Sequence, residues 1–182
     1  MNAPLETPAS RALSRLVWLP WIGVLLLVCA LTIVTLRVNG NLRDRRICRE
    51  HLEEIYQALV RSNQENGSLP RLDFYPTNTR NDQDSLLVAL RDYGIREADC
   101  QCPRSPASIR EGQGLTYLWN VELNGIPLKD VQDHTWMLIE ISALSATAKA
   151  PHFGRYNILL ANGTVVERSE VPAGILVPSK TP

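Results

Sequence analysis

Histidine is scarce in this chain, with three residues among 182, and no His-x-x-x-His occurs. That removes the helix-borne pattern of zinc proteases. The four cysteines include no Cys-x-x-Cys, which excludes the usual paired zinc ligands and covalent haem attachment. Cys100-x-Cys102 with a third cysteine is a poor match to zinc spacing, so no metal is expected. There is no Gly-x-Ser-x-Gly, no phosphate-cradling Walker run and no dinucleotide fingerprint. Net charge is missing too: 19 basic residues balance 19 acidic ones, giving no global attraction to nucleic acid. Aromatics make up 6% of the chain. Trp119, Trp136, Phe153 and Tyr156 fall in strand-like runs, where filling a sheet core is expected rather than stacking on bases. These absences point to a non-enzymatic chain with no cofactor and no nucleic-acid partner, and they identify no small-molecule substrate.

Charge is also absent from Leu16 to Leu36, "LVWLPWIGVLLLVCALTIVTL". As a helix this run is about 31 Å long, enough for a hydrocarbon core of about 30 Å. Pro20 falls near its first turn, where a missing N–H costs little. Trp18 and Trp21 stand where an interfacial aromatic belt would place them. A cleaved signal peptide would have a shorter apolar region and a small-x-small site; "TLRVNGNLRDRR" follows instead. The expected organisation is a cytoplasmic tail over 1–15, a transmembrane anchor over 16–37 in the lipid bilayer, and an exported domain over 38–182. The arginine count opposes that orientation. Arg11 and Arg15 precede the span, whereas Arg37, Arg43, Arg45 and Arg46 follow it, and the positive side tends to stay inside.

Beyond the anchor, Asn39-Gly40-Asn41 reads as a break or as a joint in a continuing helix. From Arg45 to Gly67 the chain is an amphipathic helix. Cys48, Leu52, Ile55 and Leu59 recur at threes and fours, Gly67 suits the position after the helix, and Pro70 prevents continuation. Asp84 to Gly94 predicts a short helix capped by Asp84 or Ser85, and 100–114 reads as irregular. The period then changes. Strands are expected within 115–125, 134–142, 155–161 and 164–170. The fold class is therefore α+β: a transmembrane helix, then an amphipathic helix packed on a small antiparallel sheet.

Asn162-Gly163 between two apolar runs predicts a two-residue type I′ hairpin turn over Ala161–Thr164. His152 has no ligand or base partner at readable spacing. It is expected to hydrogen-bond near the start of a hairpin strand, with Gly154 giving the backbone room. Its removal would then cost about 1 kcal/mol.

Cys29 lies in the anchor as a small apolar filler. In an exported domain, Cys48 could pair with either Cys100 or Cys102.

"HFGRYNILLANGTV" has His152, nine residues, then Asn162-Gly163. With Cys48 opening a helix that ends in Asn-Gly and Leu-Pro, Cys102-Pro103, and Tyr117-x-x-Asn120, it resembles a known family. These are the prepilin- or pseudopilin-like proteins of planctomycete type, whose C-terminal region carries His, nine residues, then Asp-Gly. The likeness runs from about Cys48 to Val165. It implies a pilin-like fold, an exported domain and a Cys48–Cys102 disulfide. Asn162 replaces the family's Asp, and the processing motif expected before the anchor is absent from "SRLVWLP". The resemblance therefore implies a derived relative, a fixed subunit that supports other membrane protein subunits. A minor pseudopilin of a type II secretion or type IV pilus system is the next reading, and a periplasmic binding module or enzyme the third.

Overall fold

The first element of the computed structural model is helix α1, Pro8–Asn66. The structure describes residues 8–145, 150–172 and 175. It divides into two units, Met1–Gly40 and Asn41–Pro182. In the first unit, the described side chains from Trp21 onward are exposed and mostly apolar. The helix is long and apolar enough to cross a membrane. The two described hydroxyls of this first unit are satisfied internally: Thr32 and Thr35 donate to the Val28 and Leu31 carbonyls, each at 2.8 Å. A hydroxyl bonded back to the preceding turn needs no water. Asn39-Gly40-Asn41 stays helical.

The second unit is an α+β domain. The α1 residues Cys48, Leu52, Ile55 and Leu59 have no exposed surface, so the stripe read from their spacing is the core face. Each large aliphatic side chain so buried contributes about 1.5–3 kcal/mol. They face a four-stranded antiparallel sheet in chain order: β1 Tyr117–Trp119, β2 Trp136–Glu140, β3 Tyr156–Leu160 and β4 Val165–Arg168. Side chains alternate between two clusters. Tyr117, Trp119, Leu138, Leu159 and Val165 join the α1 stripe. Leu118, Ile139, Ile158 and Leu160 fill the other face. A register irregularity between Trp136 and Leu138 lets Met137 and Leu138 both join the α1 side.

Several local expectations need correction. The strand over 115–125 is cut to three residues because the Asn120 side chain accepts the Glu122 N–H and starts a 3-10 turn. The helix over 84–94 is split: α2 covers Leu86–Ala89 and a 3-10 turn covers Arg91–Tyr93. Ser85 stands at the cap position but donates to the Thr79 carbonyl instead. Inside the stretch read as irregular lies α3, Ala107–Gln113, closed by Gly114 at φ 72°. Phe153 is 54% exposed and fills no core.

The turns are the most informative correction. Between β3 and β4, the Gly163 N–H donates to the Leu160 carbonyl and the Leu160 N–H to the Thr164 carbonyl. Asn162 does not have a positive φ; Gly163 does, at 81°. This is a three-residue loop with glycine in the left-handed position, not a type I′ turn. The Asn162 side chain accepts the Thr164 N–H at 2.9 Å instead. A Cβ on Gly163 would also meet the Tyr56 ring at 2.5 Å. Gly163→Val is therefore expected to cost at least the 1–3 kcal/mol of a strained backbone. An unchanged denaturant midpoint for that variant would contradict this placement.

Candidate functional site: a buried Cys–His–Glu centre

Four elements bring polar side chains to one buried point. Cys48 comes from α1 and Cys102 from the loop after the 3-10 turn Glu97–Cys100. The two are joined in a disulfide with Cα atoms 5.2 Å apart, closing a sequence separation of 54. Cys100 is a free, buried thiol. Burial, then the Asp99 and Glu97 carboxylates, push its pKa far up, so it is a poor nucleophile. Thr116 stitches this loop to β1. Its N–H donates to the Cys100 carbonyl at 2.9 Å, and its hydroxyl oxygen accepts the Cys102 N–H at 2.6 Å.

Glu140 closes β2 opposite Tyr117. It has no exposed surface, and a buried carboxylate requires donors. It has three. His152 Nε2–H donates to Oε1 at 2.8 Å, the Asn157 backbone N–H to Oε2 at 3.2 Å, and Asn157 Nδ2 to Oε1 at 3.3 Å. His152 Nε2 also lies 3.3 Å from Cys102 Sγ. Burial nevertheless raises the Glu140 pKa, with the His152 and Asn157 hydrogen bonds opposing. Two atoms at the centre are buried without a partner among the described residues, His152 Nδ1 and Tyr117 Oη. Burial, Glu140 and Cys100 together hold the Tyr117 phenol far above its ordinary pKa.

A tight hairpin delivers His152. His152 and Arg155 exchange both backbone hydrogen bonds, at 3.2 and 3.0 Å. Phe153 at φ 53° and Gly154 at φ 79° lie between them. Two successive positive φ values are what a type I′ turn needs, so the primed turn sits here. Phenylalanine is poorly suited to that conformation. Phe153→Asn should raise domain stability by about 1 kcal/mol, read as a higher melting temperature. A lowered one would show that the exposed ring is held by contacts within the domain.

Glu140 also gives the domain a pH dependence. A carboxyl whose folded pKa exceeds its unfolded one contributes stability that is complete below the unfolded value. That stability is lost as pH rises through the folded value. Urea midpoints should therefore fall across that window in the wild type and respond less in Glu140→Gln.

Of the residues singled out from the sequence, Cys48, Cys102 and His152 meet at this centre. Cys100 lies beside it without joining, and Asn162 and Gly163 form the β3–β4 loop. Glu140 and Asn157 were missed, and Tyr117 was read only as part of the Tyr-x-x-Asn strand motif. The available signal was Glu140 itself, a charge ending the apolar run "WMLI". The four groups Cys48, Cys102, Glu140 and His152 each place a ligand-type atom within 4.8 Å of the others.

A separate half-open crevice of about 540 Å³ is lined by Asn41, Ile109, Ile141, Pro151 and Phe153, with Arg104 the one charged residue among its described lining residues. Arg104 lies 3.9 Å from Asp44. No protein-family model, no curated protein and no solved structure matches the chain.

Proposed function

We propose that the chain is a single-pass membrane subunit whose C-terminal domain supports or stabilises a larger membrane protein complex and catalyses nothing itself. The observation that carries this reading is the run of exposed large side chains from Trp21 to Leu36, with Trp21 at 68% and Leu36 at 67% exposure. Monomeric soluble proteins rarely leave so large an apolar surface open to water, and lipid or partner helices would cover it. Gly23, Cys29 and Ala30 are small spots for helix contact within that run. Against catalysis stands the burial of the Cys48–Cys102–Glu140–His152 centre, where none of the four side chains reaches solvent.

The N-terminus faces the cytoplasm and the domain faces the periplasm in this reading. The disulfide supports it, because such bonds persist in oxidising compartments. The arginine count opposes it. A periplasm-active reporter fused after Pro182 should be active and a cytoplasm-active one silent. The reverse pattern would overturn the orientation.

The domain reads as pilin-like on the order of its elements, a long helix followed by four antiparallel strands, and on the resemblance in "HFGRYNILLANGTV". The same order favours a second reading, a minor pseudopilin. The missing processing motif weighs against it. An unshortened N-terminus on the membrane-bound protein, read by mass spectrometry, would support the fixed anchor.

A further inference from the structure

We propose that the buried centre has two alternative closures: the Cys48–Cys102 disulfide when oxidised, and a zinc ion held by Cys48, Cys102, Glu140 and His152 when reduced. The inference goes beyond the anchored-subunit reading and does not depend on it.

The geometry is the warrant. With zinc bonds of about 2.0–2.3 Å, a tetrahedral site needs its ligand atoms roughly 3.3–3.8 Å apart. The four candidate atoms already lie within 4.8 Å of one another. Cys102 Sγ and His152 Nε2 are 3.3 Å apart, and Nε2 and Glu140 Oε1 are 2.8 Å apart. Breaking the sulfur–sulfur bond lets the two sulfurs separate, as a tetrahedral edge requires. Part of the outer shell is present as well: Asn157 fixes Glu140 through its backbone and side-chain N–H groups, while His152 Nδ1 has no partner among the described residues.

Formation of the zinc form is balanced by a dithiol. It gives two electrons and two protons to the disulfide, which becomes two thiols, and is itself oxidised to a disulfide. Zinc then displaces both thiol protons to solvent. The His152 ring proton moves to Nδ1, freeing the Nε2 lone pair for the metal. In the oxidised chain neither sulfur is a thiolate, so the thiolate ligands exist only after reduction.

The test uses the full chain in detergent, oxidised or reduced by a phosphine without oxygen, then equilibrated with zinc and desalted. Bound zinc is counted by mass spectrometry. Cobalt in its place reads thiolate coordination through charge-transfer absorption. One zinc per reduced chain is expected, with none in the oxidised chain and none in reduced Cys102→Ser. His152→Ala should weaken zinc by more than the roughly 10–100-fold that loss of an outer-shell partner brings. Zinc should also raise the melting temperature of the reduced wild type. The proposal is overturned if the reduced wild type holds no zinc, or if zinc leaves its melting temperature unchanged. Equal zinc affinity in His152→Ala and the wild type would overturn it too, since the thiols alone would then be the ligands.

Discussion

Cys48→Ala is expected to lower the stability of the Asn41–Pro182 unit more than any other single substitution considered. The bridge closes a sequence separation of 54, for which the chain-entropy relation gives about 4 kcal/mol. The bond also ties the start of the packed part of α1 to the loop that Thr116 holds against β1. Losing it frees the loop that carries Cys102, whose sulfur lies 3.3 Å from His152 Nε2. Chemical denaturation of the variant against the non-reduced wild type measures the effect. A difference below about 1 kcal/mol would mean that the loop is held by Thr116 and its packing alone.

His152→Ala is the second large effect. Its removal leaves Glu140 buried with only the Asn157 donors, and breaking a buried pair from one side costs about 3–5 kcal/mol. The lower end applies, because a carboxyl already raised by burial can escape by binding a proton. This replaces the figure of about 1 kcal/mol expected for one ordinary hydrogen bond. The diagnostic is the double variant His152→Leu/Glu140→Leu. Apolar replacement of both partners should cost less than the sum of the single changes. Additive costs would show that the two side chains stabilise the fold separately.

The α1 core stripe could be read from the sequence because its signal is local. Cys48, Leu52, Ile55 and Leu59 declare one helical face, and all four are fully buried. The strands were legible for the same reason, through the apolar runs around Leu138, Ile158 and Val165. The turns were harder. Asn162-Gly163 fits two loop geometries, and the pairing of Leu160 with Thr164 selects between them. Phe153 looked like a core residue, yet its position in a positive-φ turn exposes it. The centre was the least legible part. Its residues come from α1, a loop, β2 and the turn before β3, so no spacing encodes them. Glu140 meets His152 only because β2 pairs with β3 and the 152–155 hairpin folds back. Helix α3 has one large apolar residue, Ile109, too few to show a period.

Purification of the full chain from mild-detergent extracts of native membranes, with quantitative mass spectrometry of what accompanies it, tests the accessory-subunit reading most directly. The expected result is fixed-stoichiometry recovery of integral membrane proteins with the chain, and loss of their assembled form when the chain is deleted. Recovery of the chain alone in several mild detergents, with every membrane complex intact in the deletion strain, would contradict it.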